Sequence, residues 1–313
     1  MTARRGLDAP RRFLGLPAPA KLNLFLHVLG RRADGYHDIE SVFVPIDLCD
    51  TLDLTLRADG RIVREGDLTG PESADLAVRA ARALQEHAAA GAAAAIPGVT
   101  IGVRKCIPVG AGLGGGSSDA ATTLIGLNRL WDLGLPRAAL VRLARGLGAD
   151  VPFFLGGGSA FVEGTGEQCT PLPPWRAWYV VVYPQVHVST AEIFGDPKLT
   201  RDSKRTTIAG FSASLQALAD EAVPQLFGTN DLEPVARRRF PAVDAALRLL
   251  EECAAPEAQP SLVRMSGSGS AVFCPAPDAA AASAVLARVR ARMPQGWSAW
   301  APGALAELPL AQW

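Results

Sequence analysis

Residues 108–121 read PVGAGLGGGSSDAA. Glycines at 110, 112, 114, 115 and 116 leave Leu113 as the only bulky side chain among them. A loop this poor in side chains offers little to packing. Without a Cβ its backbone reaches positive φ, so successive N–H groups can turn toward one point and form a nest for an anion. Gly112 and Gly115 are expected to need that backbone room. Ser117, Ser118 and Asp119 follow as cap-type residues ahead of an apolar-periodic run through Ala120, Ala121, Leu124, Ile125 and Leu127, which reads as a helix start. A helix N-terminus adds its own unpaired N–H groups and its dipole. The residues Pro108, Val109, Gly110, Ala111, Gly112, Leu113, Gly114, Gly115, Gly116, Ser117 and Ser118 therefore read as a polyphosphate cradle, with serine hydroxyls free for phosphate or Mg²⁺.

Other readings of the loop fit less well. No Gly-Lys-Ser/Thr follows the glycines, so this is not a Walker A loop. Gly110, Gly112 and Gly115 do form a G-x-G-x-x-G after a strand-like run, Val99–Ile107. A dinucleotide fold would then need a second parallel strand ending in an acid about 20 residues on. Asp132 instead lies in a turn-like DLGLP segment, and a second helix follows from Pro136. A flexible linker also favours glycine and serine, but it rarely separates a strand from a capped helix.

Outward from the loop, the basic residues are almost all arginine; the only lysines are Lys21, Lys105, Lys198 and Lys204. Lys105, in the strand before the loop, reads as solvated, as do Lys198 and Lys204. Lys21 stands in AKLNLFLHVL (20–29), where Leu22, Leu24, Leu26 and Val28 alternate onto one face. Lys21, Asn23, Phe25 and His27 share the other face, which could be a polar, solvated one. A compact ammonium beside an amide also suits a phosphoryl group. Gly35-Tyr36-His37 reads as a turn. Asp150, between a helix stop and the apolar VPFFL, is by itself a cap or a functional carboxylate. Thr190 and Phe194 lie in a capped helical turn, and SGSGS (266–270) is a second glycine turn between strands.

Composition bounds the answer. With 313 residues, 49% hydrophobic and 20% charged, an ordinary globular protein of about two domains is expected. Net charge is +0, so no basic field attracts nucleic acid. No apolar run approaches the ~20 residues that span a bilayer. The five cysteines form no C-x-x-C, which indicates neither a zinc site nor a disulfide framework and suits a reducing cytoplasm. Strands are expected at 41–46, 51–57, 179–183, 262–265 and 271–274, with helices near 73–89, 136–148, 243–253 and 278–293. That order suggests an α+β sandwich.

The glycine stretch resembles the central motif of the GHMP kinases, and the resemblance runs from Ala18 to about Gly303 with motifs in matching order. It implies a two-domain α+β fold with the active site in the cleft. Residues 1–17 would be a flexible extension, 18–175 the N-terminal domain and 176–313 a ferredoxin-like C-terminal domain. ATP would be the co-substrate, with Mg²⁺ bridging its phosphates and no separate protein metal site. GGGSSDAA resembles one branch in particular, which phosphorylates the 2-hydroxyl of a methylerythritol carried on cytidine diphosphate in the non-mevalonate isoprenoid route. The resemblance assigns catalysis to Lys21 and to Asp150, the base in GADVPFF, and substrate contacts to Asn23, Tyr36, His37, Thr190 and Phe194. Ala191 departs from a proline common in the family, at the edge of the cytidine pocket. A non-catalytic binder, another small-molecule kinase or an ATP-dependent decarboxylase on the same fold are the alternatives. Oligomeric state is not encoded in any of these features.

Overall fold

The computed structural model describes residues 11–67, 70–90, 96–174, 176–206, 211, 227–255 and 262–313. Its spine is a long antiparallel ribbon of β1 (Arg12–Arg31) and β2 (His37–Arg57). On the other edge of β2, residues 51–57 pair with β4 (Gly98–Arg104) and residues 41–43 with β5 (Ala160–Glu163). β3 (Ile62–Gly66) runs parallel to β4, and β6 (Gln168–Pro171) closes the far side against β5. Helices α1 (Leu76–Ala89), α2 (Gly115–Leu130) and α3 (Arg137–Arg145) accompany this sheet. Asp75 starts α1 by accepting the N–H groups of Ala77 at 2.9 Å and Val78 at 3.2 Å, which satisfies two of its unpaired donors.

A second, antiparallel sheet has the order β10-β7-β9-β8, made of β7 (Trp178–Tyr183), β8 (Arg264–Met265), β9 (Val272–Ala276) and β10 (Ser298–Trp300). With it go α4 (Thr190–Phe194), α5 (Glu233–Arg239), α6 (Pro241–Ala254) and α7 (Ala279–Arg292). α7 opens on Asp278, whose carboxylate accepts the Ala281 N–H at 2.8 Å.

Three buried clusters hold this together. Leu52, Ile101, Leu124 and Leu127 belong to the core between the first sheet and its helices. Val180, Leu247 and Val285 belong to the core between the second sheet and α6 and α7. Leu22, Phe25, Val44, Tyr179 and Phe273 form a third core where the two halves meet.

The ribbon departs from expectation in two ways. The strands expected at 41–46 and 51–57 are one strand, because a bulge carries the chain across the break: Ala20 faces Ile46 while Pro19 faces Cys49. The strand β1 also starts at Arg12, with Phe13 opposite Leu54 and Leu16 opposite Leu52. Pairing with β2 therefore takes up residues 12–17 of the stretch expected to be an extension. Among the described residues no helix is long and apolar enough to cross a membrane.

Candidate active site

The glycine loop is fastened from behind. Three successive carbonyls are tied to other parts of the chain: Ala111 O accepts from Ala271 N at 3.0 Å, Gly112 O from Ser266 Oγ at 3.1 Å, and Leu113 O from Lys21 N at 2.9 Å. In a trans peptide the N–H points opposite to the C=O. Fixing these carbonyls therefore turns the N–H groups of Gly112, Leu113 and Gly114 to the opposite side. Gly112 at φ +74° and Gly114 at φ +74° permit the path, and Gly114 is itself the N-cap of α2. A cavity of about 370 Å³ lies on the loop, lined by residues 108–117 with Arg64, Asp75, Lys105 and Asp119.

A second cavity of about 570 Å³ shares Gly110, Gly112, Gly114 and Ser117 with the first, and holds Lys21, Asn23 and Asp150. Lys21 is 3% exposed, so its face of β1 is not solvated. A buried ammonium is costly unless paired and hydrogen-bonded. Here Nζ donates to Asn23 Oδ1 at 2.5 Å, stands 3.4 Å from Asp150 Oδ2 and lies 4.7 Å from the Phe43 ring centre. Asn23 cannot turn its oxygen away without losing a second bond, because its Nδ2 donates to Ser41 Oγ at 2.9 Å. Asp150 follows α3 in a turn closed by Val151 N on Gly148 O at 3.2 Å. Its carboxylate caps no helix; it is partly open to the cavity and faces Lys21.

The cleft continues into a third cavity of about 640 Å³, joined to the second through Ile39, Ala149, Thr165, Thr190, Ala191 and Phe194. The 32–36 turn, closed by Arg32 N on Tyr36 O at 2.8 Å, leaves Tyr36 66% exposed at its rim. His37 is buried, and its ring lies 4.9 Å from that of Phe194 at an interplanar angle of 30°. Burial above all, then the charges of Arg201 and Arg31, hold its imidazole below the ordinary value, which keeps it neutral. Thr190 Oγ1 meets Ser268 Oγ at 2.8 Å, so the second glycine turn also borders the cleft.

The sequence model described as GHMP kinases N terminal domain matches residues 75–158, and that described as GHMP kinases C terminal matches residues 212–295. A 4-diphosphocytidyl-2-C-methyl-D-erythritol kinase of Burkholderia lata is 47% identical over 304 residues, which cover 97% of this chain and 98% of the relative. This chain belongs to the GHMP kinases. The enzyme of the same name from Cupriavidus necator is 49% identical over 296 residues, 94% of each chain. Among solved structures, a 4-(cytidine 5'-diphospho)-2C-methyl-D-erythritol kinase superposes with TM-score 0.75 at 35% identity, covering 94% of this chain and 99% of that one. Homoserine kinase from Cytophaga hutchinsonii shares the fold, with TM-score 0.66 at 16% identity and 98% of each chain covered.

Within this GHMP kinase several side chains lie elsewhere than their sequence context implied. The helix cap is Gly114 rather than the Ser117–Asp119 run, so Ser118 falls inside the first turn. Its hydroxyl is buried without a hydrogen-bond partner and borders a small gap beside Pro17, Pro19 and Phe154, away from the loop cavity. Ser117, one residue earlier, lines the cleft. Gly115 is helical, and a Cβ there would stand 2.9 Å from Ile107 Cγ2 and 3.2 Å from Asp50 Oδ2. Its smallness serves the packing of α2 on the chain before the loop, not a positive φ.

Lys105 is not solvated. Its ammonium pairs with Asp50 and, at 2.7 Å, with Asp119. Asp50 Oδ1 also takes the N–H groups of Cys106 at 2.6 Å and Ile107 at 2.8 Å, which draws the chain out of β4 after Arg104. Burial, only partly opposed by Lys105, pushes the Asp119 carboxyl up to about 7. His187 is a further residue of the cleft that no sequence pattern marked: a Cβ on Gly110 would collide with its ring.

Proposed function

We propose that this protein transfers the γ-phosphoryl group of ATP to the 2-hydroxyl of 4-diphosphocytidyl-2-C-methyl-D-erythritol, in the cytoplasm, as a step of non-mevalonate isoprenoid synthesis. The reading rests on one arrangement: a buried ammonium 3.4 Å from a partly exposed carboxylate, beside a loop whose backbone donors face a cavity. Relatives of the same name at 47% and 49% identity support the substrate.

Phosphoryl transfer asks a protein mainly for positioning and electrostatic stabilisation. The N–H groups of the 110–116 loop and the start of α2 would hold the ATP phosphates. Asp150 would accept the proton of the attacking hydroxyl, its carboxylate already turned into the cavity. Lys21 orients that carboxylate and offsets charge that develops on the transferring group. Asn23 fixes Lys21 through the 2.5 Å bond. At the other end of the cleft Tyr36, His37, Thr190 and Phe194 would hold the cytidine.

Mg²⁺ fits this cleft. It is bound through one or two protein oxygens plus phosphates rather than by an all-protein cage, and among the described residues no cluster of three or more His, Cys, Asp or Glu forms such a cage. Ser117 and Asp150, both with side-chain oxygens, line the cavity where the phosphates would lie. The ion would neutralise phosphate charge.

The test is ADP release by the full chain with the cytidyl substrate, set against mevalonate, homoserine and galactose. Turnover with the cytidyl alcohol alone is expected. Preference for another alcohol, or CO₂ release coupled to ATP hydrolysis, would overturn the assignment.

A further inference from the structure

His37 and Phe194 come from opposite halves of the chain, yet one guanidinium holds both. Arg201 Nη2 donates to Phe194 O and to Asp196 O, each at 2.8 Å, and Nη1 donates to Leu199 O at 3.1 Å. Three carbonyls therefore clamp the fork in place. Of the two donors left, Nε–H points at His37 Nε2 from 3.2 Å. Arginine has no acceptor and stays protonated at every relevant pH, so the nitrogen it addresses must be the unprotonated one. The hydrogen of the neutral imidazole is then on Nδ1. A 180° turn of the ring would bring Cε1 to where Nε2 now stands and lose this bond, although the ring would still lie against Phe194.

We propose that Arg201 is a positioning residue that fixes His37 as the Nδ1–H tautomer and thereby sets which pyrimidine edge the cleft accepts. This rests on the reading of the 640 Å³ cavity as the cytidine end of the site. A fixed donor suits a ring atom with a lone pair. Cytosine N3 has one; uracil N3 carries a hydrogen and would present donor to donor. A site built to hydrogen-bond one pattern rejects the other through the polar groups left unpaired. Arg201 also ends α4 by taking its last carbonyl, so the same side chain sets the Phe194 ring against which His37 rests.

The charged groups around the imidazole are Arg201, from the segment after α4, and Arg31, from the end of β1; Asp34, from the turn, lines the same cavity. Replacing Arg201 by methionine removes one of the two cations, so protonation of His37 moves to higher pH, toward its ordinary range. Nδ1–H is a donor in the neutral and the protonated ring alike, so the expected pH effect between about pH 8 and pH 6 is a proton taken up on Nε2 in the variant and excluded in the parent, read from the ¹⁵N shift of that atom.

Three measurements on the full chain test this. First, ¹⁵N–¹H long-range NMR of the parent, without ligand, reads the tautomer directly; Nδ1–H is expected, and Nε2–H overturns the proposal whether or not any variant folds. Second, steady-state kinetics of Arg201→Met are expected to show KM for the cytidyl substrate up about tenfold, as for one lost oriented hydrogen bond, with KM for ATP unchanged. The ratio of cytidyl to uridyl kcat/KM should fall, and Arg201→Lys should restore part of it. Unchanged discrimination together with an unchanged Nε2 titration in Arg201→Met also overturns it. Third, the parent's own turnover of the cytidyl substrate stands as a separate result. If that is missing while Nδ1–H is found, the substrate assignment fails and the tautomer lock stands.

Discussion

Gly112→Ala tests whether the two glycine turns are one device. Gly112 sits at φ +74°, and a Cβ placed there would lie 2.2 Å from Ser266 O and 3.1 Å from both Gly269 N and Gly269 O. All three obstacles are backbone, so no rotamer change makes room. The left-handed conformation costs an L-residue on the order of 1–2 kcal/mol, and overpacking a rigid contact typically costs a further ~1–3 kcal/mol. The sum, about 2–5 kcal/mol, is a large part of the ~5–15 kcal/mol that holds a typical domain folded. Urea unfolding should show the midpoint falling in proportion. KM for ATP should rise, because the loop can relieve the contact only by moving away from Ser266, which changes where its N–H groups point. Gly116→Ala is the internal control: its Cβ would meet only Leu76 Cδ1 at an ordinary 3.6 Å, within a helical turn. Alanine there should match or exceed the parent's stability by up to about 1 kcal/mol. If Gly112→Ala unfolds at the parent's midpoint with the parent's KM for ATP, the clamp between the turns is not real.

Other expectations follow from the same geometry. Asp150→Asn keeps the shape and removes the base; turnover should drop by roughly 10²–10⁴-fold with both substrates still bound, as calorimetry would report. Tyr36→Ala should raise the Kd for the cytidyl substrate by the ~1–3 kcal/mol of a stacking contact while ATP binding is untouched. Asp119 carries a carboxyl pushed up to about 7 by burial, well above the model-peptide value of about 3.9. Its folded state therefore binds more protons than the unfolded chain between about pH 4 and pH 7, and stability must decline as pH rises through that window. Asp119→Asn should flatten the decline in thermal melts between about pH 4 and pH 7; equal slopes for parent and variant there refute the assignment of that proton.

The glycine loop and its neighbours were legible because their chemistry is local. A row of residues without Cβ atoms constrains the backbone wherever it stands, and the alternation around Lys21 marks a strand without tertiary help. What the sequence hides are contacts made at long range. Lys105 looks solvated beside its neighbours, and only the fold brings Asp50 and Asp119 to it, from 55 and 14 residues away. Arg201 meets His37 across 164 residues. Ser118 turned out to face the sheet because glycine took the cap, which rotates every later residue of the first turn. The break expected at residues 47–50 is a bulge, and a bulge is set by pairing partners rather than by the residues inside it.

The β1–β2 ribbon bears on how separable the two halves of this kinase are. β1 gives Leu16 to the first core, Leu22 to the middle one and Val28 to the core of the second sheet. A cut near residue 175 would thus not release two modules. The first fragment would carry bare apolar strand ends from Leu22 to Val28, and the second would lack the residues that finish its interior. Expression of either piece alone should give insoluble chains. Exchange of halves between relatives should fail unless the ribbon matches both halves at once, so this fold is inherited as one piece even though two sequence blocks describe it.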